Sequence, residues 1–176
     1  GFGIVGPDSY EAMLQNCREF SESGIPFIFD PGQAMPLFNG DELKQMIEQA
    51  TYVTVNDYES LLMSDKTGLS TAEISSRVQG YIITRGDKGS EIHTASGMLQ
   101  IPAANAIRVV DPTGCGDAYR AGLIFGLMKG MDMATAGRIA SLMGALKIEH
   151  LGPQNQRFSY AQFAMQFKQQ FGYALD

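Results

Sequence analysis

The run Asp111-Pro112-Thr113-Gly114-Cys115-Gly116-Asp117-Ala118-Tyr119-Arg120-Ala121-Gly122 sets a glycine-rich turn and an acid directly ahead of a long helical pattern. Gly114 and Gly116 have no Cβ, so the backbone there can turn sharply and present successive N–H groups. The helix that follows aims its positive dipole end at the same spot, and an anion would settle there. Asp117 stands at the mouth of that anion site, where a carboxylate would ordinarily repel a phosphate. An acid in that place suits removal of a proton from an attacking hydroxyl, so the pattern reads as phosphoryl transfer to an alcohol. The same residues also suit a plain strand-to-helix turn, with Asp117 as a first-turn acid favoured by the dipole.

Asn56-Asp57-Tyr58-Glu59 follows an apolar run. An amide and a carboxylate three apart at the carboxyl end of a strand can hold hydrated Mg²⁺ beside a triphosphate, because Mg²⁺ keeps most of its waters and needs few protein oxygens. Asn-x-x-Glu is equally a capping box, and the two roles are compatible. Thr84-Arg85-Gly86-Asp87-Lys88-Gly89 forms a turn between two extended runs. Gly1-Phe2-Gly3-Ile4-Val5-Gly6 has the G-x-G-x-x-G spacing, but its own apolar residues read as the strand instead of following one, which excludes a nicotinamide-binding fingerprint. No G-x-x-x-x-G-K-[ST] occurs. His93 and His150 have no cysteine or carboxylate at ligand spacing and read as structural. Cys115 at a helix start would have a lowered thiol pKa, though a small filler is the simpler account.

The run around Asp117 resembles the signature of the ribokinase-like, or PfkB, carbohydrate kinase family, D-T-x-G-A-G-D-x-F-x-A-G. Pro112, Cys115 and Tyr119 depart from it where threonine, alanine and phenylalanine are usual. Asn56 to Glu59 resembles the family's N-x-x-E motif, and Thr84 to Gly89 its T-x-G-x-x-G turn. The resemblance implies Asp117 as base, with the N–H groups of Gly114, Cys115 and Gly116 as the anion hole. It implies Asn56 and Glu59 for Mg²⁺, through water and beside phosphate, and Thr84, Gly86 and Gly89 facing the ATP phosphates and sugar. It further implies Ile101, Ala103 and Val109 on one side of an adenine pocket and Ser141 on the other. A monovalent cation, K⁺, would lie by Asp111 and Thr113, with carbonyls near Ile148, Leu151 and Pro153. The expected acceptor is a nucleoside or sugar. The runs Phe29-Asp30-Pro31-Gly32-Gln33 and Glu149-His150-Leu151-Gly152-Pro153-Gln154 resemble bacterial adenosine-kinase-like members; a general sugar kinase and an inactive ATP-binding fragment are the alternatives. The match begins mid-fold, so the expectation is a C-terminal, nucleotide-binding portion whose exposed apolar edge could drive self-association, for instance as a homodimer.

These residues need elements to position them. With 176 residues, 44% hydrophobic and 18% charged, the chain can build one domain with a core. A net charge of −6 without a basic cluster argues against nucleic acid as partner. Two cysteines, Cys17 and Cys115, make no disulfide or metal spacing, and no apolar run could span a bilayer or act as a signal, so a reducing cytoplasm fits.

Apolar runs alternate with helical patterns, the mark of βαβ units. Strands are predicted at 2–5, 25–30, 52–55 and 81–84. Helices are predicted from a capping box opened by Asp8, carrying Met13, Leu14, Cys17 and Phe20 inward to Gly24, and at 41–50, 59–63 and 70–79. From 90 to 110 the order becomes strand, turn at Ser96-Gly97, strand, and a last strand at 107–110, an antiparallel edge. Helices at 116–129, 133–150 and 159–171 close the chain, the last with Phe163, Phe167 and Phe171 on its core face. The expected fold is a three-layer α/β/α ribokinase-like domain over 1–176, its mostly parallel sheet ending in an antiparallel edge, with no domain boundary and with the N-terminal part missing.

Overall fold

The computed structural model describes residues 1–104, 115–149 and 160–175, with side chains for all of these but 115–117 and 146–149. Two compact units emerge, Gly1–Gly86 with Glu91–Gln100, and Asp87–Ser90 with Ile101–Asp176.

The first unit is built on strands β1 (Gly3–Val5), β2 (Phe27–Phe29), β3 (Tyr52–Asn56) and β4 (Gly80–Thr84), paired in parallel in that order. β5 (Ser90–Thr94) and β6 (Gly97–Ile101) extend the sheet to six strands as an antiparallel edge, joined by a turn at Ala95-Ser96, one residue before the predicted Ser96-Gly97. β2 to β4 are buried along nearly their whole length, the continuous apolar reading expected of strands covered on both faces, whereas β1 alternates and leaves Ile4 exposed. Val5, Phe27, Phe29, Val53, Val55, Tyr81 and Ile83 share one core with Met13, Cys17, Leu43, Ile47 and Met63 from the helices.

Each crossover helix starts at a cap. α1 (Tyr10–Glu22) is capped by Ser9, whose side chain accepts from the Ala12 N–H at 3.2 Å. Asp8 was the expected cap, but it accepts from the Ser9 N–H instead, and no capping box forms there. Met13 and Cys17 are fully buried, with Leu14 and Phe20 packed against the same core. Burial pushes the Cys17 thiol up to about 12, so it is an inert core residue. Complete capping boxes open α2 (Gly40–Gln49) at Asn39 and Glu42, α3 (Asp57–Thr67) at Asn56 and Glu59, and the short α4 (Thr71–Ser75) at Ser70 and Glu73. α3 is longer than 59–63 because Gly68, left-handed at φ 71°, is the first residue able to stop it. A 3-10 turn at Gly32–Leu37, started by Gly32 at φ 50°, was not read from the sequence.

The second unit contains α5 (Cys115–Met128), α6 (Met133–Glu149) and α7 (Tyr160–Phe171). α5 and α6 approach backbone to backbone: a Cβ on Gly122 would come within 2.9 Å of the Ala140 Cα, and one on Gly126 within 2.8 Å of the Ala136 Cα. Phe163 and Phe167 are buried on α7, with Phe171 packed beside them as its spacing predicts. The Phe167 and Phe171 ring centroids are 4.8 Å apart. The strand predicted at 107–110 lies outside the described residues.

Candidate functional site

In the first unit, Asn56 and Thr84 face each other in register at the carboxyl ends of β3 and β4. This is the end of a parallel sheet where α/β proteins gather ligands. The Thr84 hydroxyl donates to the Val55 carbonyl at 3.3 Å, tying the two strand ends together. Asn56 Oδ1 accepts from the Glu59 N–H at 2.7 Å, and Glu59 Oε1 accepts from the Asn56 N–H at 2.9 Å. The capping alternative is therefore real. It uses one Glu59 oxygen and leaves Oε2 without a protein partner among the described residues, while Asn56 is exposed. Burial raises the hydroxyl of the fully buried Tyr81 well above its ordinary value, and the Glu59 charge adds to that.

Beyond Thr84 the chain turns through Gly86 at φ 58° into a 3-10 turn, Gly86–Lys88. Arg85 in this turn pairs with Glu91 at 3.0 Å, and the other Glu91 oxygen lies 3.0 Å from His93 Nε2. His93 thus has a carboxylate partner, Glu91, that the sequence reading did not give it.

The second unit gathers Gly89, Ile101, Ala103 and Ser141. Gly89 has φ 86°, and a Cβ there would run into the Ile101 carbonyl oxygen and come within 2.8 Å of the Ala103 N. Only glycine satisfies both the left-handed backbone and the close approach. Ile101 is buried. Ser141, on α6, donates to the Pro102 carbonyl at 3.0 Å and accepts from the Ala104 N–H at 2.9 Å. Its hydroxyl is committed to clamping 102–104, the segment that carries Ala103.

Cys115, Gly116 and Asp117 form the first turn of α5, so the helix begins where the glycine turn predicts and its N-terminal N–H groups lie at these residues. Gly114, Val109, Asp111 and Thr113 lie outside the described residues, as do Leu151 and Pro153; Ile148 is in α6. Sequence reading missed Ser90, which is 4% exposed and accepts a hydrogen bond from the Tyr119 hydroxyl at 2.9 Å. The available signal was the hydroxyl that Tyr119 carries where the motif has phenylalanine.

Among the described residues no cluster of three or more His, Cys, Asp or Glu could cage a metal. Mg²⁺ held by phosphates and waters does not require one, and an unpartnered carboxylate oxygen beside an exposed amide fits that mode. No helix among the described residues is long and apolar enough to cross a membrane.

The model of the pfkB family carbohydrate kinases matches residues 3–158. Nucleoside kinase from Methanocaldococcus jannaschii is 35% identical over 126 residues, covering 72% of this chain and 42% of that protein. Adenosine kinase from Saccharomyces cerevisiae is 26% identical over 179 residues, covering 92% of this chain and 52% of that protein. The structure of Burkholderia thailandensis nucleoside kinase in complex with inosine superposes with a TM-score of 0.97 at 55% identity, covering 99% of this chain and 57% of that one. The chain spans about half the length of the curated relatives it matches.

Proposed function

This chain belongs to the pfkB carbohydrate kinase family, and on that premise we propose that the protein transfers the γ-phosphoryl group of ATP to a primary hydroxyl of a nucleoside. The likeness to the inosine-bound nucleoside kinase, at 55% identity along 99% of this chain, carries the reading. Asp117 would take the proton of the acceptor hydroxyl as it attacks phosphorus. The N–H groups of Gly114, Cys115 and Gly116 would stabilise the charge developing on the phosphoryl oxygens, in a field set by the N-terminus of α5.

Glu59 Oε2 and the Asn56 amide would hold Mg²⁺ through its waters, while the capping box keeps both side chains at the carboxyl end of β3. Bound Mg²⁺ would supply charge neutralisation between the β- and γ-phosphates. Thr84, Gly86 and Gly89 would face the phosphates and sugar. Ile101, Ala103 and Val109 would line one side of the adenine, with Ser141 contributing position on the other because its hydroxyl is already bonded. Asp111 and Thr113 would hold the monovalent cation.

The acceptor class we favour is a purine nucleoside. Adenosine is the member that the runs 29–33 and 149–154 favour, and inosine is the one bound by the neighbour. Both present the same ribose hydroxymethyl group and differ in the purine. The test is phosphorylation by the whole protein of inosine, adenosine and free ribose in parallel, with ATP and Mg²⁺, the products identified by mass spectrometry. Nucleoside 5′-monophosphate at a rate well above that of ribose phosphate is expected. Preference for ribose over both nucleosides would replace the reading with a sugar kinase, and transfer to none of the three would remove it.

A further inference from the structure

The second unit contains a closed circuit of contacts. α5 and α6 touch backbone to backbone at Gly122 and Gly126. Ser141 on α6 grips 102–104 through two hydrogen bonds. That segment packs on Gly89 so closely that no side chain fits between them. The next residue, Ser90, returns to α5 through the Tyr119 hydroxyl. Three of the four joints are packing or bonds to backbone; the Ser90–Tyr119 joint alone is a single side-chain hydrogen bond. Tyr119 is one helical turn beyond Cys115 and two residues from Asp117, so that bond acts on the turn presenting the anion-binding N–H groups.

We infer that Tyr119 and Ser90 form a positioning pair, which sets the first turn of α5 against the Gly89 turn and so aligns the phosphoryl-binding N–H groups with the nucleotide. The inference rests on the kinase reading above. Burial pushes the Tyr119 hydroxyl up to about 12, so it is neutral at working pH and its proton is always available to Ser90. Ser90 is buried and the bond is part-buried, so losing either hydroxyl leaves the other without its protein partner in a place water reaches poorly. A phenylalanine at 119 would fill the same volume and lose only the bond.

The experiment compares Tyr119→Phe, Ser90→Ala, the double variant and Ser90→Thr in the whole protein, reading ATP affinity by calorimetry, kcat and the separate KM values for ATP and nucleoside. Each single loss should weaken ATP binding and lower kcat by about threefold to tenfold, the worth of one buried hydrogen bond, with the nucleoside KM unchanged. The double variant should be no worse than the worse single one, and Ser90→Thr, which keeps a hydroxyl, should retain most of the function. A lower melting temperature with unchanged ATP affinity and kcat would make the pair merely structural and overturn the inference, as would additive losses in the double variant. If the wild type phosphorylates no nucleoside, the proposed function falls while ATP affinity still decides this inference. Absence of ATP binding would overturn both.

Discussion

Asn56 and Glu59 satisfy each other across three residues, whereas Tyr119 reaches a partner 29 residues away and Ser141 reaches partners 37 and 39 away. The first unit holds Asn56 and Glu59 with a local device, a cap at the end of a parallel strand, and only Thr84 there is tied across strands, by its hydroxyl bond to the Val55 carbonyl. The second holds its candidate site residues with long-range hydroxyl bonds and helices packed through glycine and alanine. A local cap can lose one bond while the strand beneath it stays in place. A circuit in which each joint presses on the next transmits an error at one joint to the others.

The comparison is broken most severely at Gly126. Gly126→Val would drive a branched side chain into the backbone of Ala136, and unfolding in urea should show a loss of about 3 kcal/mol. Gly68→Ala in the first unit meets open space and pays only for a left-handed backbone, about 1 kcal/mol. Equal losses at the two positions would mean that α5 and α6 are not packed this closely. Gly89→Ala combines both penalties. It should cost about 2 kcal/mol and, by shifting 101–103, weaken ATP binding about tenfold or more in calorimetry.

The sequence made the first unit readable because its signals are periodic or adjacent. The alternation of apolar runs and helical patterns gave β1 to β4 in order, and the Ser96-Gly97 turn announced the edge hairpin. Errors there were short-range competitions: Ser9 took the cap that Asp8 was expected to provide, and Gly68 ended a helix expected to stop at 63. The family motif marked Asp117 and the start of α5. The Ser90–Tyr119 bond and the Ser141 clamp have no spacing signature at all, since the residues meet only through the tertiary fold.

A finer contrast lies inside the first unit. Glu42 and Glu59 cap their helices with nearly the same geometry, each accepting from a backbone N–H at 2.9 Å, but only Glu59 follows the carboxyl end of a strand directly. Glu42→Gln and Glu59→Gln should each lower the melting temperature only slightly. Only Glu59→Gln should raise the Mg²⁺ concentration for half-maximal rate, and a matching shift for Glu42→Gln would trace the effect to capping. The smallest effect is on the acid side. The Asn39 N–H, and then the Tyr10 hydroxyl, hold the Glu42 carboxyl below its ordinary 4.5. Its contribution is therefore present above that value and lost as pH falls through the lowered one. Glu42→Gln should flatten the stability profile below about pH 4.5, with its small loss at neutrality independent of pH.

Asp117→Asn tests the central claim most directly, because it keeps the shape of the α5 turn and removes the base. In the whole protein, kcat for nucleoside phosphorylation should fall by about two to four decades while ATP affinity by calorimetry stays nearly the same. Turnover close to that of the wild type would contradict the account and leave Asp117 as an ordinary first-turn acid of α5.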